Sequence, residues 1–426
     1  MSATYVRMLR LFSRDLRLFL VTAVLVGLAW DGVRAVLFNL YLLRLGYGPE
    51  SVGVVNSAGA LVFGLVCPLA GAMGTRWGSR QVLIVGMGVL AAGFGLLPVV
   101  EYLPEAWRMA WLLATSMLTY LGFALYLVNG LPFLMAVTGA EERNYAFSVH
   151  MALAPLAAFA GSLLGGWLPG ILARGLGLSL AEAAPYRYPL LLAAVLLVPG
   201  VLVMLPTRSG DGPPVPRLTG QELEGRASSI PWGLLVIIGL IMALRFGGRG
   251  TVTTFFNVYM DEGLGVPTAL IGILSAAGQL LSVPAALAAP LLVVRWGNPR
   301  IVSWGMIGMA LLLLPLALVP QWAAAGLGFV SSTALFSVTV GPIRVFSQEL
   351  VAPRWRASMA SAFMMGAGLA FSMVSLAGGY AIVALGYRAV FLAAAGLAAA
   401  GGLLFFAYFH VPRGEMSPPS PLNIVE

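Results

Sequence analysis

The sequence predicts an all-α membrane protein: twelve transmembrane helices in two pseudo-symmetric six-helix bundles. Three observations predict it. Apolar types make up 60% of the 426 residues and charged types only 9%, where a soluble domain carries about 25% charged residues. Uncharged runs such as Val82 to Val100 and Ile301 to Pro320 match the roughly 20 residues that cross a ~30 Å hydrocarbon core. Fragments of the first half also recur, in order, in the second. Backbone inside a bilayer must satisfy its own hydrogen bonds, so the runs are expected to be helices. The short alternating segments of a membrane β-barrel are missing.

Taken in order, the spans fall near 16–45, 50–74, 79–101, 107–138, 144–174, 186–206, 230–260, 267–294, 300–319, 322–350, 355–385 and 387–411. Ahead of the first, Arg7, Arg10, Arg14 and Arg17 recur at spacings of three and four. That pattern predicts a short basic helix on the inner membrane surface. No small-residue cleavage site follows it, so a cleavable signal peptide is not expected. Between the sixth and seventh spans the apolar rhythm breaks at Pro213-Pro214 and Pro216, among glycines and charges. This divides the chain into a bundle at 1–206, a flexible cytoplasmic linker at 207–229, a second bundle at 230–411 and a cytoplasmic tail at 412–426. An even span count puts both termini on one side. With the N-terminus inside, fifteen arginines lie on inner segments and five on outer loops: Arg44, Arg108, Arg174, Arg187 and Arg388. The bias predicts both termini in the cytoplasm of a cell membrane, of bacterial inner-membrane type.

The repeat makes the bundles related. Phe38-Asn39-x-Tyr41 returns as Phe256-Asn257-x-Tyr259, 218 residues later. Gly53 and Gly59 return as Gly272 and Gly278, and Arg76-Trp77-Gly78 as Arg295-Trp296-Gly297, both 219 residues later. Pro132 answers Pro342, and Gly165-Gly166 answers Gly378-Gly379. Two parallel six-helix repeats around a central site is a transporter architecture.

Over essentially its whole length the chain resembles the major facilitator superfamily. The segment from Gly71 to Arg80 is similar to that family's Gly-x-x-x-Asp-Arg-x-Gly-Arg-Arg/Lys signature, with Arg76, Gly78 and Arg80 in place. The resemblance implies a gating role for these three. Thr75 stands where the family usually has Asp, so the usual inner-gate latch lacks its acid. Gly161 to Gly166 resembles the Gly-Pro-x-x-Gly-Gly motif of drug/proton antiporters, with Ser162 for proline; close helix packing through small residues explains it more simply. No arginine lies between Arg108 and Arg143, so the antiporters' fourth-span arginine motif is missing.

Charges within spans cost roughly 2.5–3.5 kcal/mol each at the bilayer centre and therefore need a reason. The first span carries Asp31 and Arg34; the seventh carries Arg245 and Arg249. Asp31 and Arg249 are repeat counterparts. Gly27, Asp31, Arg34, Phe38 and Tyr41 follow a four-three-four-three spacing, which predicts one helical face. The family lines its central cavity with the first and seventh spans. Asp31, Arg34, Arg245 and Arg249 are therefore expected around one water-accessible site. Three arginines against one acid suit a carboxylate or phosphate on a substrate. Asp31 is also the candidate proton carrier, although neighbouring arginines favour its charged form. The alternative is a static ion pair between Asp31 and an arginine.

Other polar residues widen the candidate set. Asn39, Tyr41, Asn257 and Tyr259 suggest a cavity rim or outer gate, with interface anchoring as the alternative. Asn129 in the fourth span is a candidate cavity contact, and so is Gln279 in the eighth. His150 reads as a structural hydrogen-bonding group. Arg344 reads as a snorkelling side chain, and Glu349 as an inner-gate residue with Arg354 or Arg356.

The remaining readings are exclusions and alternatives. One cysteine, Cys67, and two distant histidines, His150 and His410, leave little for a disulfide or a metal. All 24 basic residues are arginines scattered at helix ends, unlike a nucleic-acid-binding domain. No HExxH, nucleophile elbow or paired membrane carboxylates point to an enzyme. The expected function is secondary active transport of a small organic solute, anionic or zwitterionic, with proton as the candidate coupling ion. The expected protein is a monomer without cofactor. A multidrug or metabolite efflux antiporter is the alternative. A non-transporting sensor or lipid-handling protein on the same fold is the alternative of another class.

Overall fold

The computed structural model describes residues 12–139, 142–208, 232–351 and 356–409. Their regular structure is helical throughout: α1 Arg14–Arg44, α2 Pro49–Trp77, α3 Ser79–Leu96, α4 Glu105–Val137, α5 Arg143–Leu176 and α6 Ala184–Met204. The second half adds α7 Trp232–Val258, α8 Thr268–Trp296, α9 Asn298–Leu318 and α10 Trp322–Glu349. A last helical run, Arg356–Phe409, is 54 residues long and breaks at Gly386 (φ 81°, ψ 167°). That residue separates α11 (356–385) from α12 (387–409), giving twelve spans among the described residues. Arg14 and Arg17 of the expected surface helix begin α1, whereas Arg7 and Arg10 lie outside the described residues. Of the expected linker only Thr207 and Arg208 are described, and the tail at 412–426 lies outside them.

Local chemistry sets the helix ends. Pro49, Pro185 and Pro299 sit in first turns, where a missing N–H costs nothing. Ser13 caps α1, its Oγ accepting from the Leu16 N–H. Gly78 and Gly297 take φ +90° and +78°, a region a side chain would resist. Each lets one residue join two helices. The helices ahead of them, α2 and α8, are both 29 residues long. The Arg-Trp-Gly repeat is thus a repeat of structure.

Helices α1–α6 and α7–α12 form two bundles. Crossings between them lie in the half of the molecule that holds Arg44, here called the Arg44 end. Gly53 of α2 lies against the Ser375 carbonyl of α11, and Gly379 against the Pro49 carbonyl. Gly166 of α5 and Gly272 of α8 each fill the space a Cβ on the other would need. Gly53 and Gly272 are repeat counterparts, as are Gly166 and Gly379, so these two crossings are copies of one another. The third joins α1 to α7. Asn39 Nδ2 donates to the Thr254 carbonyl (2.6 Å), and Asn257 Nδ2 to the Val36 and Ala35 carbonyls (3.1 and 2.7 Å). Each asparagine reaches the residue three before its own counterpart.

Arg44 finishes this end. Its guanidinium grips Asp261 of the second bundle through two 2.7 Å hydrogen bonds and donates to the Leu180 carbonyl (2.8 Å). Tyr186 and Thr268 also bond across the bundles through their hydroxyls (3.0 Å). At the opposite end, where α1 begins, a cavity of about 380 Å³ separates α2, α4 and α5 from α10 and α11.

Candidate functional site

A second cavity, of about 220 Å³, lies between the bundles and deeper toward the Arg44 end. Its walls come from α1, α2, α4, α7 and α11. On three of these helices it sits one turn beyond the first cavity: Phe63 after Cys67, Phe123 after Leu127, and Gly368 after Met364. Aromatic side chains dominate the lining, with Trp30, Phe38, Phe63, Tyr120, Phe123, Phe246 and Phe371. Trp30 stacks on Phe123 with ring centres 4.0 Å apart and planes 8° from parallel.

Two charges face this space, Asp31 and Arg34. Arg34 is only 9% exposed. Its guanidinium carbon lies 4.3 Å from the Trp30 ring centre, 4.5 Å from Phe38 and 4.9 Å from Tyr120. Such faces stabilise a cation through the ring quadrupole without satisfying its N–H groups. Nη2 of Arg34 is buried with no hydrogen-bond partner. An unpaired buried donor of this kind is costly and calls for an acceptor. Asp31 is exposed to the cavity. Arg34 and Arg249 lie close enough to act on it electrostatically, but neither forms an ion pair with it. The ion pairs among the described residues are Arg44–Asp261 and Arg187–Glu101.

The local winding of α1 places these groups. Gly27–Arg34 is a π-helical segment, whose turns carry one extra residue. Gly27 and Gly32, five apart, both press on α5: Gly27 on the Ala154 carbonyl, Gly32 on Gly161. The predicted face of Gly27, Asp31, Arg34, Phe38 and Tyr41 is therefore split. Asp31, Arg34 and Phe38 line the cavity. Gly27 packs on α5, and Tyr41 turns into its own bundle to donate to Glu101 Oε1 (2.7 Å). A regular α-helical period cannot anticipate an inserted π turn.

The chain matches the family model described as the Major Facilitator Superfamily over residues 19–375, and again over 238–423. It belongs to that superfamily. No curated protein matches it in sequence. Solved superfamily-like structures share its fold. One is the D323A mutant of the nucleoside transporter NupG (16% identity, TM-score 0.70, covering 93% of this chain and 100% of that one). Another is the xylose transporter XylE from E. coli in a partially occluded inward-open conformation (13%, 0.71, 93% and 98%). A third is the human organic anion transporter MFSD10 (16%, 0.62, 92% and 99%).

Within this superfamily fold the other predicted residues are distributed as follows. Arg249 is half-buried and donates to Thr333 Oγ1 of α10 (2.9 Å). Arg245 is 1% exposed and lies inside the second bundle, donating to Thr339 Oγ1 (2.7 Å) with its guanidinium 4.0 Å from the Phe336 ring centre. Neither is among the residues lining the central cavity. Asn39 does line it, and accepts from Asn56 Nδ2 (2.9 Å). Asn257 is spent on the α1 backbone, and Tyr259 packs on Tyr387 and Phe391. Asn129 donates to the Ala70 and Leu125 carbonyls (3.1 and 3.0 Å). It fills the gap left by Gly74, away from the cavity. Its apparent candidacy came from being polar in a span, which a helix–helix bond explains equally well.

The signature residues sit at the end opposite Arg44. Arg76 is exposed, Gly78 makes the turn, and Arg80 ties α3 to the end of α6 through Thr207 Oγ1 (3.0 Å) and the Leu205 carbonyl (2.5 Å). Glu349 is exposed at the end of α10. Its expected partners cannot be placed, since Arg354 and the side chain of Arg356 lie outside the described residues. Sequence reasoning missed the Arg44–Asp261 pair and most of the aromatic walls. One signal was available: Trp30, Arg34 and Phe38 are spaced by four, so each ring is one turn from the arginine.

Proposed function

We propose that this chain is a secondary active transporter that moves a small organic solute bearing an acidic group, anionic or zwitterionic, by alternating access. The observation that carries the reading is Arg34: a caged guanidinium with an unpaired buried N–H, facing a cavity between two bundles, beside an unpaired Asp31. An acidic group on the solute would supply the missing acceptor. Asp31 would hold an amine, or a proton that couples transport to a gradient. The bundles would rock about this point. Arginine bias supports a cytoplasmic placement of the end opposite Arg44, which makes the described state inward-facing. The two bundles would be joined by the linker at 207–229, and the chain would act as a monomer. Arg76, Gly78, Arg80 and Glu349 would act when the cytoplasmic end closes.

The relatives named above carry nucleosides, xylose or organic anions, so the cargo is to be found by experiment. Thermal-shift screening of purified protein against metabolites at two pH values would select solutes, and uptake into proteoliposomes would test them. Selective binding of acids, lost in Arg34→Gln, supports the reading. Binding of neutral solutes only, unchanged by Arg34→Gln, overturns it. A transport rate independent of pH and of any proton gradient would remove the proton role from Asp31.

A second reading, efflux of amphipathic compounds, draws on the seven aromatic side chains of the cavity wall. Expression in a drug-sensitive host would separate the two: broad resistance favours efflux, and a single transported metabolite favours the first reading.

A further inference from the structure

A separate surface lies on the outside of the second bundle, where α8 turns into α9 at Gly297. A groove of about 410 Å³ runs between these helices over α10. Trp296, Arg300 and Trp304 border it, and Leu292, Ile301, Leu335 and Val338 make it apolar. Arg300 also borders an adjoining recess with Ser303 and Phe406. This face is built for hydrocarbon: Trp304 is 63% exposed and Trp296 47%. Arg295 lies 5.5 Å from the Trp296 ring centre. The sequence holds no acid between Glu262 and Glu349, and among the described residues no acid pairs with either arginine.

The first bundle treats the arginine that follows its own glycine turn differently. Arg80, after the Gly78 turn, is consumed by Thr207 and Leu205. Arg300, after the Gly297 turn, is exposed and has no hydrogen-bond or ion-pair partner among the described residues. A free guanidinium at the membrane edge, between two tryptophans suited to the headgroup layer, asks for an anion. An apolar groove leading away from it asks for a chain. A free phosphate would use only the first of these features.

We propose that this groove binds one anionic phospholipid, its phosphate on Arg300 and an acyl chain along Trp304, Ile301 and Val338. The site is independent of the transport cavity and of what that cavity carries. The lipid would bridge the α8–α9 junction and so bear on the second bundle.

Native mass spectrometry of the full chain, released from detergent with phosphatidylglycerol or phosphatidylcholine, tests this. One retained phosphatidylglycerol is expected, bound about fivefold more weakly in Arg300→Gln, as one arginine's attraction to anionic lipid implies. Trp304→Ala should weaken retention as well. Arg174→Gln, which removes an exposed charge at the Arg44 end, should not. Equal retention by Arg300→Gln and the wild type, with matching helical content, overturns the proposal. So does retention of phosphatidylcholine as strong as phosphatidylglycerol, or displacement of the lipid by inorganic phosphate alone.

Discussion

Helices α1 and α7 are copies that agree at one end and part company at the other. Toward Arg44 they hold each other with the same asparagine aimed at the same backbone position, Asn39 on Thr254 and Asn257 on Val36. Farther along, Asp31 of one stands where the other has Arg249. Arg34 and Arg245 each keep one buried N–H unpaired, but Arg34 faces the cavity from an aromatic cage, whereas Arg245 and Arg249 donate to threonines of α10. Duplication has kept what joins the bundles and has diverged where a solute would be recognised. Arginines of one chain thus stand in different places: Arg245 braces a bundle through Thr339, and Arg34 faces the cavity.

The largest expected effect would break this division most directly. Arg34→Gln should weaken binding of an acidic solute by about 2–5 kcal/mol, the usual loss when one partner of a buried charged pair is removed. Arg245→Gln should instead lower the unfolding temperature and leave affinity largely intact. Calorimetric titration and thermal unfolding of both variants check this, and similar affinity losses in the two would erase the distinction. Next comes Gly166→Leu, which puts a side chain into the α5–α8 crossing. Overpacking costs about 1–3 kcal/mol and should push the Arg44 end open, read as faster hydrogen exchange in residues 45–48 and 264–267. Asn39→Ala and Asn257→Ala should cost alike, roughly 0.6–1 kcal/mol each for an interhelical bond in a membrane; clearly unequal costs in denaturation would deny their equivalence. The smallest effect belongs to Arg44→Gln. Its pair with Asp261 is partly exposed at 19% and 12%, so a loss of about 0.5–1 kcal/mol that shrinks with added salt is expected.

Much of this architecture was legible because it rests on length and periodicity. Twelve apolar runs and the break at residue 386 follow from helix length and periodicity; the one-residue turns at Gly78 and Gly297 did not, since the spans were expected to stand four and five residues apart there. The duplicated glycines pointed to the crossings, though their partners, Gly53 with Gly379 and Gly166 with Gly272, required three dimensions. The site was legible only in part. Asp31 and Arg34 stood out as charges in a span. Arg245 and Arg249 stood out equally, and no pattern along α7 says that Thr333 and Thr339, some ninety residues on, would occupy them. The π turn at Gly27–Arg34 hid the true face of α1, because a changed winding leaves no mark in a hydrophobic period.

One residue, Gly386, is all that joins α11 to α12. A connection that short offers no strand of chain for a protease to enter and no room for an inserted tag. Residues 178–183, at the same end of the molecule, form the longer exposed link, anchored chiefly by the Arg44 bond to Leu180. A reporter domain placed there should be tolerated, and one placed at residue 386 should abolish assembly. Whether the tolerated reporter is labelled from outside intact cells would then decide which face of the membrane the Arg44 end looks upon.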